Sequence, residues 1–270
     1  MKALKVEGPI LEVGYWNIRG LGAPLRMMCF WADCRFQANC HCLVVVEGKI
    51  EYLQSDWHSK DKAVLKEKNP LINLPYVIDG DVVITQTNAC MSYLGRKLNL
   101  WGTNDVEVSA CEQLLCELYD LRGSMTGLAY PDGKNAEKVA AMIKRQSKHG
   151  NLYKLDLYLS RNPLFSETSP FLVGGHCTAP DFHLFEMLDQ YNHMATIVLD
   201  NKDFLETLPR LKTFYHAWLK HEKMQKYLES DLHKLPLNSA GSKFGSCLDR
   251  TKTFDPATDC LHADASGIYP

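Results

Sequence analysis

The chain has 270 residues, 46% of them hydrophobic and 23% charged, the composition of a folded protein with room for one large domain or two smaller ones. A formal net charge of -2 excludes an electrostatic case for nucleic acid or an anionic membrane as partner. No stretch approaches the roughly 20 apolar residues of a membrane span, and the opening MKALKVEGPILEVGYW, interrupted by Lys5 and Glu7, has no apolar run of secretory-leader length. The ten cysteines are therefore expected as free thiols in a reducing compartment, the cytoplasm. Lys60, Lys62 and Lys66 form a local basic cluster that reads as a solvated face.

Up to about Leu98 the chain mixes short strand-like runs with short helices. Ile10, Leu11, Val13 and Tyr15 lie in an extended apolar stretch. After the turn Arg19-Gly20-Leu21-Gly22, Pro24 opens a helix whose apolar face is Leu25, Met28, Cys29 and Ala32. Phe36 to Val46 predicts a second strand, completing a right-handed βαβ unit. Leu74 to Ile78 and Val82 to Ile84 flank Asp79-Gly80, a hairpin signal, and a helix from about Gln86 to Leu98 closes this half. The second half is all helix. Cys111, Leu114, Leu115, Leu118 and Met125 stripe a helix from about Asp105; Val139, Met142 and Ile143 start another that runs towards Leu159; Leu211, Phe214, Tyr215, Trp218 and Leu219 stripe a third. Residues 236–270 are rich in Ser, Gly, Asp and Pro and lack periodicity, the composition of a flexible tail.

Three motifs carry chemistry. Tyr15-Trp16-Asn17-Ile18-Arg19-Gly20-Leu21 ends a strand before a helix, which aims the Tyr15 hydroxyl at free N–H groups that favour anions. Asn73-Leu74-Pro75-Tyr76 opens a strand with a proline; a cis bond there would turn the main chain of Leu74 outward as a clamp for a small peptide. Gln86-Thr87-Asn88-Ala89 brings an amide, a hydroxyl and free N–H groups to one helix start, which suits a carboxylate as well as a plain N-cap. Together they describe a site for a small, anionic, peptide-like ligand beside a tyrosine hydroxyl.

GYWNIRGL, NLPYVIDG and ITQTNA resemble the matching motifs of mu-class cytosolic glutathione transferases in kind, order and spacing, over roughly residues 10–235. Gly174 to Phe182 resembles that family's folding box, with Thr178 and Asp181 three apart before an apolar helix. The resemblance implies an α/β thioredoxin-like domain over 1–98 (a mixed sheet, βαβ-α-ββα), an all-α domain over 105–235 with an electrophile pocket, and an irregular C-terminal extension over 236–270. It implies an enzyme that conjugates the glutathione thiolate to apolar electrophiles, with glutathione as co-substrate and no cofactor or metal. By the same resemblance Tyr15 is the catalytic residue, its hydroxyl stabilising the thiolate. Leu74 clamps the cysteinyl backbone, Gln86 and Thr87 hold the γ-glutamyl carboxylate, and Trp57, Lys60 and Asn73 contact the glycyl end. Asp120 reaches the γ-glutamyl amine across a dimer. Trp16 and Leu21 border both glutathione and the apolar pocket, which Ile18, Tyr119, Thr126 and Tyr130 complete.

The sequence also departs from the family pattern. The stretch from Trp57 to Asn73 is about three residues longer, so Lys62 competes with Lys60 for the glycyl carboxylate. Gln54 stands where many members carry an arginine, Leu71 where an aromatic locks into the neighbouring subunit, and Ser92 where an interface arginine is common. These changes put a second function beside conjugation: a non-catalytic scaffold of the same fold, partnered as a homodimer or in a larger assembly. An open cleft at Tyr15 speaks for the enzyme and a plug formed by the tail for the scaffold. Phe244, Leu248, Phe254, Leu261, Ile268 and Tyr269 give the tail apolar anchors for such docking. Cys40-His41-Cys42 invites a metal, but its cysteines fall short of the roughly two- to four-residue gap of structural zinc sites, so thiols are the expectation.

Overall fold

The computed structural model describes residues 9–42, 44–46, 49–51, 55–246 and 265–270. Strand β1 (Leu11–Trp16) leads through the Asn17–Leu21 turn into α1 (Gly22–Trp31), and β2 (Phe36–His41) returns parallel to β1 with Tyr15 opposite Cys40. The run expected as one strand from Phe36 to Val46 is broken. β2 stops at His41, and a separate hairpin of β3 (Val44–Val46) and β4 (Lys49–Glu51) follows. A wide π-helical turn, Trp57–Asp61, runs into α2 (Lys62–Lys68). The hairpin of β5 (Tyr76–Asp79) and β6 (Val82–Thr85) turns at Gly80, whose φ of 61° suits a residue without a side chain. Helix α3 (Thr87–Lys97) completes the domain.

The helical domain begins with α4 (Asp105–Asp132), capped where Asn104 accepts from the Glu107 amide at 3.1 Å. The single helix expected from Val139 towards Leu159 is two, α5 (Ala136–Lys148) and α6 (Asn151–Leu159). Gln146 causes the break: its Oε1 accepts from the Asn151 amide at 2.7 Å and so starts a new helix inside the old register. Helix α7 (Ala179–Leu199) runs through the core with α8 (Pro209–Lys220) against it, while α9 (Glu222–Glu229) packs on α8 and α1, and α10 (Asp231–Lys234) on α9 and α1. The N-terminal box of α7 forms as read: the Thr178 amide donates to Asp181 Oδ2 at 2.8 Å, and Asp181 Oδ1 takes the Leu172 amide at 2.7 Å. None of the described helices is long and apolar enough to cross a membrane.

The tail corrects the flexible expectation where it is described. Residues 236–246 lie on the protein, and Gly267–Tyr269 forms β7, antiparallel to β2 at the sheet edge, giving the order β6-β5-β1-β2-β7. Tyr269 stacks on Phe36 with ring centres 5.7 Å apart. Ile268 is exposed, Phe244 is buried, and Leu248, Phe254 and Leu261 lie outside the described residues, as do Gln54, Cys247 and Cys260.

One main apolar cluster runs from β1 and α1 through α4, α7 and α8, so the two domains share a core. Within that seam Arg19 donates from Nε and Nη2 to Glu186 and from Nη2 to Asp189 at 2.6 Å, all buried or nearly so. Replacing Arg19 by Met is expected to lower stability by about 3–5 kcal/mol, because two carboxylates are left buried without their cation. Urea denaturation followed by circular dichroism checks this, and Arg19→Lys should recover only part of the loss, since an ammonium cannot reproduce the two-pronged contact.

Candidate active site around Tyr15

Arg26, fully buried on α1, shapes the turn after β1. Its guanidinium donates to the carbonyls of Ile18 at 2.9 Å and Trp16 at 3.2 Å. The turn closes over Tyr15 at Gly20, where φ is 40° and an added Cβ would sit 2.7 Å from the Tyr15 ring and 3.0 Å from its hydroxyl. Tyr15 is 7% exposed, and its hydroxyl faces the main chain at Leu21, the start of α1. Burial raises its pKa, while the guanidiniums of Arg122 and Arg26 and the Leu21 amide pull the other way. Burial wins, so at neutral pH Tyr15 is a phenol that can donate, held in a positive local field.

Two further features meet the strand β5 end. The Leu74–Pro75 bond is cis, as the sequence predicts. Thr85 Oγ1 donates to the Asn73 carbonyl at 2.7 Å and accepts from the Asn73 amide at 3.1 Å, which turns this loop back on itself. Among the described residues the amide and carbonyl of Leu74 have no hydrogen-bond partner. The start of α3 is also open: Gln86 holds φ at 73°, makes no side-chain cap and is exposed, while Thr87 is buried. A positive φ at a non-glycine residue is costly and marks this helix start as a strained point held by its surroundings.

The expected site residues separate into groups. Ile18, Leu21 and Tyr130 gather around Tyr15. Leu74, Gln86 and Thr87 form the open main-chain corner, with Asn73 exposed beside it. Thr126 is half-buried and donates to the Arg122 carbonyl at 3.0 Å. Tyr119 and Asp120 are exposed on α4. Trp57 is 1% exposed, stacked on Tyr76 at 5.6 Å in a second apolar cluster with Ile72 and Val83. Lys60 and Trp16 border that side too, Lys60 exposed and Trp16 half-buried with its ring 6.0 Å from His58. Leu71 is 75% exposed, and Ser92 accepts from Arg96.

Sequence reasoning missed two contributors. Arg122, buried on α4 and donating to Gln190 at 3.1 Å, is the charge that acts most strongly on Tyr15; nothing in an apolar stripe marks it. Residues 236–246 are the other. The carbonyls of Pro236 and Leu237 accept from the amides of Arg19 at 2.7 Å and Gly20 at 3.1 Å, the Ser239 hydroxyl meets the Tyr130 hydroxyl at 3.0 Å, and Ser242 donates to the Ala129 carbonyl. This segment lies over the turn that encloses Tyr15.

The chain matches two family models, "Glutathione S-transferase, N-terminal domain" over residues 12–96 and "Glutathione S-transferase, C-terminal domain" over residues 119–231. It is 30% identical over 221 residues to "Glutathione S-transferase Mu 1" of Oryctolagus cuniculus, covering 82% of this chain and 91% of the relative. It is 31% identical over 222 residues to "Glutathione S-transferase 2" of Gallus gallus, covering 82% and 90%. Among solved structures it is similar to the glutathione S-transferase Blo t 8, with TM-score 0.68 and 21% identity over 87% of this chain and 99% of that one.

Gly20→Ala is expected to cost about 1–2 kcal/mol, since the left-handed backbone disfavours a Cβ that would also press on Tyr15. Urea denaturation of the variant checks the cost, and Gly123→Ala, inside α4 with nothing within 4 Å of its Cβ, is the contrasting control, expected to gain about 0.5–1 kcal/mol.

Proposed function

The chain belongs to the glutathione S-transferase family, and from that premise we propose that it conjugates the glutathione thiolate to apolar electrophiles in the cytoplasm. The observation that carries the reading is the pairing of a buried, protonated Tyr15 with unpartnered main-chain groups at Leu74 and the open start of α3. A tripeptide held at that corner by its backbone and γ-glutamyl carboxylate presents its sulfur towards β1. Leu74 supplies the main-chain clamp, and Gln86 and Thr87 with the α3 amides receive the carboxylate. Trp57, Lys60 and Asn73 belong to the glycyl side, and Asp120 to a contact across a homodimer.

Tyr15 donates a hydrogen bond to the sulfur. A free thiol titrates near ~8.5, and the thiolate is the nucleophile, so a donor that prefers the anion raises its fraction at neutral pH. Arg122 and Arg26 add positive potential in a site shielded from water, where charge acts more strongly. The thiolate attacks the electrophilic carbon and a new carbon–sulfur bond forms; in a substitution the bond to the leaving group breaks and that group departs with the electron pair, and in an addition the resulting carbanion takes a proton from water. Ile18, Leu21, Tyr119, Thr126 and Tyr130, with Trp16 at the edge, receive the apolar partner.

A second reading, a scaffold subunit of the same fold, has one observation in its favour: residues 236–246 lie over the Tyr15 turn. The family relatives do not favour it, and the presence of the whole Tyr15, Leu74, Gln86 and Thr87 set argues against it. Retention on immobilised glutathione, followed by a conjugation assay, separates the two; retention without turnover supports the scaffold.

Tyr15→Phe is expected to keep the KM for glutathione and lower kcat by on the order of 10²-fold at neutral pH. The rate should recover as pH rises past the free thiol value of about 8.5, because a deprotonated sulfur no longer needs the donor. An unchanged rate at neutral pH removes Tyr15 from the mechanism.

A further inference from the structure

A second polar site lies on the other side of the sheet from α1, in a cleft of about 370 Å³ between β1, β2 and β5 and the turn that leads into α2. His41, the last residue of β2, points into it and is 3% exposed. Its neighbour Cys40 turns the opposite way, with its sulfur against Arg26 at 3.4 Å, so the Cys40-His41-Cys42 trio does not converge on one ion. His41 looks instead at the wide turn. Its Nδ1 lies 3.7 Å from Asp56 Oδ1 and 3.6 Å from Asp61 Oδ2.

Those separations are too long for hydrogen bonds, which span about 2.7–3.2 Å. They are close to the spacing of two ligands on one ion: bonds of roughly 2.0–2.2 Å in a tetrahedron put neighbouring ligand atoms about 3.4 Å apart. One atom from each of the three residues lies within 4.8 Å of the others. Asp56 and Asp61 are partly exposed, so modest side-chain rotation closes the remaining gap.

The outer contacts suit a ligating imidazole. His41 Nε2 is 3.1 Å from the Tyr76 hydroxyl, which also receives Asn39 Nδ2 at 3.3 Å, and Asn39 in turn donates to Glu12 at 2.8 Å. A proton on Nε2 held by Tyr76 leaves the Nδ1 lone pair facing the carboxylates, the arrangement that fixes the tautomer of metal-bound histidines. Trp57 and Tyr76 wall the ring on its apolar flank, with Trp57 5.1 Å from His41 between centroids. Asp56 is itself oriented, its Oδ1 accepting from the Trp57 amide at 2.9 Å. Among the described residues neither Asp56 nor Asp61 has an ion-pair partner other than His41.

We propose that His41, Asp56 and Asp61 form a binding site for one divalent transition-metal ion of the zinc class, distinct from the corner of Leu74, Gln86 and Thr87 and bordered by Lys60. An imidazole with two carboxylates favours zinc or cobalt over magnesium or calcium, whose sites are built of oxygen alone. Three protein ligands leave at least one position to water. The ion ties the end of β2 to the turn before α2, and so braces the segment that carries Trp57 and Lys60.

The test uses the full-length protein, stripped with chelator and kept reduced, titrated with Co²⁺ while its absorption is recorded and with Zn²⁺ by calorimetry. The expected result is one Co²⁺ per chain with visible ligand-field bands and no thiolate-to-cobalt band in the near ultraviolet. Asp56→Asn/Asp61→Asn changes only partly exposed side chains and should weaken binding by at least the ~10–100-fold that even outer-shell partners are worth. His41→Gln should do the same, and Cys34→Ser/Cys42→Ser/Cys116→Ser should leave affinity unchanged. Equal affinity in the Asp56→Asn/Asp61→Asn variant, a thiolate band that vanishes in the cysteine variant, or no stoichiometric binding overturns the proposal.

Discussion

The contact on which the arrangement depends is the buried pairing of Arg19 with Glu186 and Asp189. Arg19 sits in the turn between β1 and α1, and both acids sit on α7, so one guanidinium joins the two domains across their shared core. Burying these charges is expensive, and the cost is offset only because the network is nearly complete. Glu186 also accepts from Gln190 at 2.6 Å, and Asp189 also accepts from the Tyr215 hydroxyl at 2.6 Å. Burial alone would push the Asp189 carboxyl up, but the Arg19 guanidinium outweighs it and holds the group well below the usual carboxylate range. The Asp189 contribution is therefore present above the unfolded value of about 3.9 and fades as pH falls below it.

That pairing decides what Tyr15 can be. Fixing Arg19 fixes the turn, and the turn sets Gly20 against the Tyr15 hydroxyl. A second guanidinium, Arg26, holds the Trp16 and Ile18 carbonyls, and a third, Arg122, approaches from α4. A chain of net charge -2 thus concentrates positive potential at one buried point. The field pulls on the Tyr15 hydroxyl, yet it is too weak against desolvation to ionise the phenol, so the group stays a hydrogen-bond donor at neutral pH.

The parts legible in sequence were those with local causes. Asp79-Gly80 between apolar runs gives the β5–β6 hairpin, and Thr178 with Asp181 gives the box on α7, because the deciding atoms lie within a few residues. The motif residues around Tyr15, Leu74 and Thr87 could be placed at element ends for the same reason. What the pattern hid depended on partners far along the chain. Gln146 splits an apparently continuous helix by capping its successor. Arg122 sits among apolar positions and takes its meaning from Tyr15 and Gln190. The packing of Trp57 was equally hidden: its ring stacks on Tyr76 in a second apolar cluster with Ile72 and Val83, residues that no local pattern joins to it.

The tail illustrates the same limit from the other side. Its composition lacks the periodicity of a packed element, yet its described residues dock, because the atoms that hold them are mainly carbonyls and small hydroxyls rather than an apolar stripe. Pro236 and Leu237 use main-chain oxygens on the amides of Arg19 and Gly20, and Ser239 and Ser242 reach Tyr130 and Ala129. Among the described tail residues only Phe244 contributes a fully buried ring, and its Cβ lies so close to Gly133 that an added Cβ there would sit 2.5 Å away. At its far end Ser266 accepts from the Cys40 amide at 2.9 Å, and β7 pairs with β2 beside it. Each hydrogen bond in such a set contributes on the order of 1 kcal/mol net, and opening the segment returns its polar groups to water rather than stranding them. Residues 236–246 are therefore held over the turn that encloses Tyr15 by a few polar bonds, an attachment that competing hydrogen-bonding groups, water included, can replace without loss of the apolar core.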